Sequence, residues 1–139
     1  MLCGLEIDHD RGLTGHSDAD VATHAVIDAL LGAAGLGDIG TLFPDTDPAF
    51  EGASSLALLR DVVARLAEAG WSIVNVDLVI VAERPKLAAY RPAMAGLLAA
   101  ALGAAHDAVG VKATTTEGMG FEGRAEGISA TAVCLLERA

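Results

Sequence analysis

The chain has 139 residues, and its 19 Asp and Glu against 9 Lys and Arg give it a formal net charge of -10. This acidity disfavours a nucleic-acid or anionic-membrane binder, because both classes rely on basic patches. Hydrophobic residues make up 53% of the chain, which is too apolar for a disordered protein and supplies a core for one domain, residues 1–139. The longest uncharged stretch, Pro92 to Ala105, is shorter than the roughly 20 apolar residues that a membrane-spanning helix needs.

The two cysteines indicate the compartment. Cys3 and Cys134 form no CxxC spacing, and the sequence shows no signal-peptide pattern. Isolated cysteines of this kind favour a reduced, cytoplasmic setting over a secreted one.

The first predicted elements are a strand and a helix. Leu2 to Ile7 is typical of a short strand that runs into a turn, so we expect the chain to open inside a sheet. From Ser17 onward, apolar residues recur at the spacing of one helical face. Ser17 is the expected N-cap of this helix, with Asp20 as its capping-box partner, and the helix is expected to end near Gly35 to Gly37.

The remaining elements follow the same kind of pattern. Residues 38–48 lack a helical or strand period and predict a structured loop, and residues 117–127 predict a glycine-rich loop. The predicted helices and strands are a helix over Ser54 to Glu68, a strand over Trp71 to Ala82, a helix from Arg91 to Gly103, and strands over Val109 to Thr114 and Ile128 to Leu136. This order predicts a single two-layer α+β domain with helices packed on one face of a mixed sheet.

The first helix carries two candidate functional features. His16 and Ser17 precede free backbone N–H groups that can bind a phosphate, although Ser17 as a plain cap explains the same pattern. Asp20, His24 and Asp28 follow one another at four-residue spacing, which suits a metal ligand with a carboxylate to orient it. A structural histidine is the alternative, since one imidazole cannot hold zinc alone.

Two loops supply further candidates. Asp45 and Asp47, with Asp38, are suited to a divalent metal or to sugar hydroxyls, but Asx-turn caps are an equally good interpretation. The threonine run of Lys112 to Glu117 offers hydroxyl and amide donors, and Arg124 can bind phosphate as a fork. A threonine-rich strand edge is the alternative there.

The combination of motifs is more specific than any one of them. The chain contains, in order, His16-Ser17-Asp18-x-Asp20 with His24, Asp38-Ile39-Gly40, Phe43-Pro44-Asp45-Thr46-Asp47-Pro48, Arg84-Pro85-Lys86, and Lys112 to Glu117 followed by Gly123-Arg124. In this order and spacing, from Gly4 to the C-terminus, it closely resembles the 2-C-methyl-D-erythritol 2,4-cyclodiphosphate synthase family. The resemblance implies a phosphorus–oxygen lyase of the non-mevalonate isoprenoid pathway that cyclises a cytidine-diphosphate-linked methylerythritol 2-phosphate and releases CMP.

The resemblance also implies an assembly, metals and site residues. It implies a homotrimer with active sites between subunits, a zinc ion on His24, and a second divalent ion, magnesium or manganese, on the substrate diphosphate. His16 and Thr115 match the family's transition-state stabilisers. The substrate-binding residues that it implies are His16, Ser17, Asp38, Ile39, Gly40, Phe43, Pro44, Asp45, Thr46, Asp47, Ala82, Pro85, Lys86, Leu87, Ala88, Thr114, Thr115, Thr116, Glu117, Phe121 and Arg124.

One departure from the family concerns the zinc ligands. The family's other two ligands form an Asp-x-His motif on its first strand, which would lie upstream of Met1, so we expect this chain to lack that strand. Asp8-His9-Asp10 is not a substitute, because adjacent side chains leave opposite faces of a strand.

Two other functions stay open at this point. One is a non-catalytic trimer that binds cytidine nucleotides, and the other is a metal-dependent nucleotide hydrolase that uses the aspartate loop.

Overall fold

The computed structural model describes residues 1–9 and 19–139. Eight helices and strands are labelled here: α1 (Val21–Ala34), α2 (Ile39–Leu42), α3 (Ser55–Glu68), β1 (Trp71–Val81), α4 (Arg91–Leu102), β2 (Val109–Thr114), α5 (Gly120–Gly123) and β3 (Ser129–Arg138). Short 3-10 helices cover Pro48–Phe50, Ala88–Tyr90 and His106–Ala108. The predicted helices and strands from Ser54 to the C-terminus are therefore confirmed, with ends within two residues of those expected. The glycine-rich loop predicted over residues 117–127 instead contains the one-turn helix α5, which is too short to leave an apolar period in the sequence.

The three strands form one mixed sheet in the order β2-β1-β3. β1 pairs in parallel with β2, with Val81 opposite Thr114, and antiparallel with β3, with Val81 opposite Ser129. The parallel pair requires a crossover, which α4 provides. The predicted mixed α+β sheet is confirmed.

Local sequence explains where the longer helices begin and end. Ser54 caps α3 by accepting a hydrogen bond from the amide of Ala57, and Pro92 occupies the first turn of α4, where a missing N–H costs nothing. Gly35 and Gly103 end α1 and α4 in the left-handed conformation, which glycine adopts without a side-chain clash.

The longer helices pack on one face of the sheet. Val76, Leu78 and Ile80 of β1 point to this face and are buried against α1 and α3, whereas α4 packs against β2. On the opposite face, Val133 and Leu135 of β3 remain 68% and 55% exposed. Within residues 1–9 and 19–139, no helix is long and apolar enough to cross a membrane.

The predicted first strand is wrong. Leu2 and Leu5 form one isolated bridge around a tight turn at Cys3 and Gly4, whose φ angles are 54° and 75°. The amides of these two turn residues donate to the carboxylate of Asp20 instead of to a neighbouring strand. A Cβ at position 4 would lie 2.1 Å from the side chain of Leu56, so the close packing of this turn requires glycine.

The predicted start of the first helix is also wrong. α1 begins at Val21, and its N-cap is Asp20, which accepts a hydrogen bond from the amide of Thr23. Ser17 lies outside the described residues, as does His16. Asp20, and not Ser17, is the N-cap. Its fully buried carboxylate accepts backbone amides from two segments, the turn at Cys3 and Gly4 and the first turn of α1.

The loop predicted over residues 38–48 contains two short helical turns. Asp38 caps α2, and Asp47 caps the 3-10 helix Pro48–Phe50 by accepting the amide of Ala49. A helix of one turn leaves no apolar period in the sequence, which is why the pattern predicted a loop.

Candidate functional site

The candidate site is a cavity at one edge of the sheet. It has a volume of about 220 Å³ and lies where the parallel strands β1 and β2 end, beside the first residue of α4. The amide of Ala82 donates to the carbonyl of Thr114 over 3.0 Å, which holds the two strand ends side by side. Its lining residues are Ala82, Pro85, Lys86, Leu87, Ala88, Arg91, Ala113, Thr114 and Thr115. Ligands of open α/β sheets commonly bind at this carboxyl edge.

This cavity brings together two motifs that are distant in the sequence. The segment after β1, with Pro85 and Lys86, faces the threonines that end β2. The peptide bond between Arg84 and Pro85, within the first of these segments, is cis. The structure therefore brings residues of two separately predicted segments, Pro85 and Lys86 and the threonines at the end of β2, to one cavity.

The charged residues of the cavity are cations. Lys86 and Arg91 are both exposed, and neither has a hydrogen-bond or ion-pair partner within residues 1–9 and 19–139. No acidic residue is found among the described lining residues. On a chain with a net charge of -10, such a cavity favours an anionic ligand.

Two other predicted cations are already paired. Lys112 Nζ lies 2.8 Å from Asp77 Oδ2 on the face of the sheet that carries no helix. Arg124 forks onto Glu126 with distances of 2.9 and 3.1 Å. This pairing raises the pKa of Arg124 and lowers the pKa of Glu126, although both side chains are more than half exposed and the pair adds little stability.

The threonine run continues into a tight loop next to the cavity. Thr115 Oγ1 accepts the amide of Glu117 over 3.2 Å, and the hydroxyl of Thr116 donates to the carbonyl of Met119. Phe121, in α5, is 45% exposed. Thr116, Glu117 and Phe121 do not line the cavity, so of the threonine run only Thr114, at the end of β2, and Thr115 line it.

In the segment over residues 38–48, aspartate side chains accept hydrogen bonds from residues two or three positions later in the chain. Asp38 Oδ1 accepts both the hydroxyl and the amide of Thr41, at 2.7 and 2.8 Å. These two hydrogen bonds lower the pKa of Asp38. Asp47 caps the next turn, so the interpretation of these two residues as Asx-type caps is confirmed.

Other predicted residues of this segment build its packing. Phe43 is buried and meets Phe50 edge to face, with 5.3 Å between ring centroids and an interplanar angle of 81°. The guanidinium of Arg65 lies 6.0 Å from the centre of the Phe43 ring. Ile39 and Gly40 form the first turn of α2, whereas Pro44, Asp45 and Thr46 follow Phe43 in the loop.

His24 lies on α1, facing the start of α3. Its Nε2 is 2.9 Å from the Oγ of Ser55, which is fully buried. Asp28, predicted to orient the imidazole, instead uses Oδ1 to accept the amide of Ile39 at 2.8 Å. Asp20 is directed away from this stripe, because its carboxylate accepts the amides of Cys3 and Gly4 and both donors of Thr23.

No three potential metal ligands cluster in the described part of the chain. His24 is thus one candidate ligand whose companions are not among these residues.

The two cysteines also lie apart. Burial raises the pKa of both thiols, and the Asp20 carboxylate raises that of Cys3 further.

The sequence analysis did not identify Ser55, which contacts His24, or Arg91, which lines the cavity. Ser55 follows the N-cap Ser54, and nothing in the pattern distinguishes a second serine at a helix start. Arg91 precedes the Pro92 that marks the start of α4, and its position at a helix N-terminus was the available signal.

Comparison with known proteins gives a consistent result. The chain matches the YgbB family over residues 1–137. It is 59% identical over 138 residues to 2-C-methyl-D-erythritol 2,4-cyclodiphosphate synthase of Bordetella avium, an alignment that covers 99% of this chain and 85% of the relative.

Solved structures show the same fold. A 2C-methyl-D-erythritol-2,4-cyclodiphosphate synthase in its CDP-bound form superposes with a TM-score of 0.90 at 40% identity, covering 99% of this chain and 89% of that one. The bifunctional IspDF of Campylobacter jejuni superposes with a TM-score of 0.96 at 42% identity. That match covers all of this chain but spans only 38% of the bifunctional protein.

Proposed function

The chain belongs to the YgbB family, and on that premise we propose that it cyclises 4-diphosphocytidyl-2-C-methyl-D-erythritol 2-phosphate to 2-C-methyl-D-erythritol 2,4-cyclodiphosphate and releases CMP, a step of the non-mevalonate isoprenoid pathway. The observation that carries this proposal is the cation-lined cavity, in which the Pro85–Lys86 segment and the Thr114–Thr115 segment meet. The size and charge of the cavity suit part of a nucleotide, and a relative of the same fold has been solved with CDP.

The reaction is an intramolecular phosphoryl transfer. An oxygen of the 2-phosphate attacks the β-phosphorus and forms a new P–O bond. The bond from the β-phosphorus to the oxygen bridging the two phosphates breaks, and CMP leaves with that electron pair. Because nucleophile and electrophile belong to one molecule, the protein needs to fold the substrate into attack geometry and neutralise charge, and no protein nucleophile is required.

The site residues divide by the part of the substrate that they contact. Ala82, Pro85, Lys86, Leu87 and Ala88 would hold the cytidine part, and Asp38 to Gly40 with Phe43 to Asp47 would hold the methylerythritol part. His16 and Thr115 would stabilise the transition state. The remaining proposed contacts are Ser17, Thr114, Thr116, Glu117, Phe121 and Arg124.

The metals are a separate part of the proposal. A divalent cation on the diphosphate, magnesium or manganese, would supply charge neutralisation at the reacting phosphate. Zinc on His24 requires at least two further protein ligands, and residues 1–9 and 19–139 contain no group of three. The described residues alone therefore do not fit a zinc centre, and the reaction above is derived without one.

We extend the proposal to a homotrimer with sites shared between subunits. The sheet face that carries no helix presents Val133 and Leu135, and neighbouring exposed apolar side chains favour burial against another chain. In this arrangement the Arg84–Lys86 segment of one subunit would approach the His16–His24 segment of the next. Val133→Lys should convert the trimer to smaller species in sedimentation, whereas Arg60→Gln on α3 should leave it intact. A fully folded wild-type monomer with nucleotide affinity would contradict this assembly.

Product analysis tests the activity. With the substrate and magnesium supplied, phosphorus NMR should show CMP and a cyclic diphosphate appearing in equal amounts. Binding of CMP without turnover would favour the non-catalytic nucleotide binder. Inorganic phosphate or an acyclic product would favour the hydrolase.

A further inference from the structure

Asp28 connects α1 to α2 by a hydrogen bond. It lies on α1, one turn after His24, and its Oδ1 accepts the amide of Ile39, the first residue of α2, over 2.8 Å. The side chain is exposed, so packing of the core does not require a carboxylate at this position. None of the motifs that carry the family resemblance includes Asp28. What this residue supplies to the structure is therefore the contact with α2.

The helix that Asp28 holds does not fix its own position. α2 has four residues, and a helix of one turn is unstable by itself, because its nucleation costs more than its first hydrogen bonds contribute. The chain reaches α2 from α1 through Gly35 and Gly37, whose φ angles are 70° and 100°, and glycine restricts the backbone less than any other residue. The placement of α2 thus depends on the packing of Ile39 and Leu42 against the core and on the hydrogen bond to Asp28.

Two carboxylates accept the amides of the first turn of α2. Asp38 uses Oδ1 for the amide and the hydroxyl of Thr41, and Asp28 accepts the amide of Ile39. Within residues 1–9 and 19–139, no hydrogen bond is made to Oδ2 of Asp38, so this oxygen can accept a hydroxyl group of a ligand. Because Ile39 directly follows Asp38, the contact with Asp28 also limits the movement of the Asp38 backbone.

We propose that Asp28 is a positioning residue: it holds the amide of Ile39 against α1 and so places the Asp38–Gly40 segment to bind the methylerythritol part of the substrate. This inference rests on the proposed function and adds to it a residue that acts without touching the substrate. The nucleotide cavity lies elsewhere, at the ends of β1 and β2, and none of its described lining residues belongs to α1 or α2. Loss of the contact should therefore weaken binding of the methylerythritol part and leave the nucleotide part unaffected.

Calorimetric titration of two ligands tests the inference. CMP supplies only the nucleotide part, whereas 4-diphosphocytidyl-2-C-methyl-D-erythritol adds the methylerythritol part but lacks the attacking 2-phosphate and therefore cannot cyclise. Asp28→Ala should weaken binding of the second ligand about fivefold, the scale of one hydrogen bond, and should leave CMP binding within about twofold. Asp28→Asn keeps an oxygen that can accept the Ile39 amide and should recover most of the lost affinity. Asp107→Ala removes an exposed carboxylate before β2, at the opposite end of that strand from the cavity, and should change neither affinity.

A measurement without ligand tests the contact itself. Hydrogen exchange of the Ile39 amide, followed by NMR, should be faster in Asp28→Ala than in the wild-type chain, because the amide loses its acceptor. Asp28→Asn should keep exchange close to the wild-type rate. Unchanged exchange in Asp28→Ala would overturn the inference, since it would show that the side chain does not hold this amide.

The outcomes separate this inference from the proposed function. If the wild-type chain forms the cyclic product but Asp28→Ala binds both ligands normally, Asp28 does not position the segment and the proposed function stands. Equal weakening of both ligands would overturn the inference, because a general loss of structure explains it. An Asp28→Asn variant as weak as Asp28→Ala would also overturn it, since the charge and not the hydrogen bond would then be responsible. A wild-type chain that binds neither ligand would overturn both conclusions.

Discussion

The carboxylates around α1 and α2 and the cations of the cavity differ in how their charge is satisfied. Asp20, Asp28, Asp38 and Asp47 each accept at least one backbone amide of this chain. Lys86 and Arg91 have no partner in the part of the chain that the structure describes. A carboxylate that accepts backbone amides stabilises the fold whether or not it also contacts a ligand, whereas an exposed cation with no protein partner contributes little to stability. Substitution of the carboxylates should therefore lower stability, and substitution of the cavity cations should mainly weaken ligand binding.

The largest effect is expected at Asp20. Asp20→Ala removes the N-cap of α1 and leaves the amides of Cys3 and Gly4 without their acceptor, in a fully buried position. The cap and the unsatisfied buried donors together should lower the free energy of unfolding by about 3 kcal/mol. Urea denaturation followed by circular dichroism measures this loss. Asp20→Asn keeps one acceptor oxygen and should lose less stability. A loss below about 1 kcal/mol in the alanine variant would contradict the role of Asp20 in joining the Cys3–Gly4 turn to the start of α1.

The second effect is expected on binding at Lys86. Lys86→Ala should weaken CMP affinity about tenfold with no change in the unfolding midpoint, because the ammonium is exposed and contributes no packing. Lys112→Ala is the matched control, since Lys112 is already paired with Asp77 on the other face of the sheet. Normal CMP binding by the Lys86 variant would mean that this segment does not contact the nucleotide.

A smaller effect is expected at Asp47. This carboxylate caps one short 3-10 turn that is largely exposed, so Asp47→Ala should cost about 0.5 to 1 kcal/mol of unfolding free energy. Thermal melts of Asp47→Ala and Asp20→Ala, compared with the wild type, measure how much more stability a buried cap contributes than an exposed one. If the two alanine variants lost equal stability, burial would not be what separates them.

The smallest effect concerns the protonation of Asp38. The hydroxyl and the amide of Thr41 lower the pKa of this carboxyl, so the cap of α2 is complete at neutral pH and is lost as pH falls through the lowered pKa. Thr41→Val removes the hydroxyl and should raise the pKa of Asp38 towards its ordinary value. Carbon-detected NMR titration of the carboxyl measures the shift. Thr41→Ser retains the hydroxyl and should leave the pKa of Asp38 low.

Long elements were predictable and short ones were not. Ser54, Gly70, Pro92 and Gly103 mark helix boundaries by their own backbone preferences, and the Val- and Ile-rich run of β1 marks a buried strand. The segment from Leu2 to Ile7 has the composition of a strand but forms a turn, because Asp20, distant in the sequence, takes the amides that a strand would have used.

In the candidate site, too, some residues were identifiable from the sequence and others only from the structure. The residue types that can bind a nucleotide were recognisable from their motifs, and the family that they indicated is the one to which the chain belongs. Ser55 as the partner of His24, and Arg91 as the second cation of the cavity, depended on which helix ends meet.

The amino-acid sequence by itself determined the longer helices and the strands from Ser54 onward, the α+β class and the family, because these depend on period, caps and motif spacing within single segments. The tertiary structure decided which charged side chains bond to backbone amides of the fold and which line a cavity. That outcome depends on contacts such as Asp20 with Gly4 and Ala82 with Thr114, between residues far apart in the chain, and local preference carries no information about them.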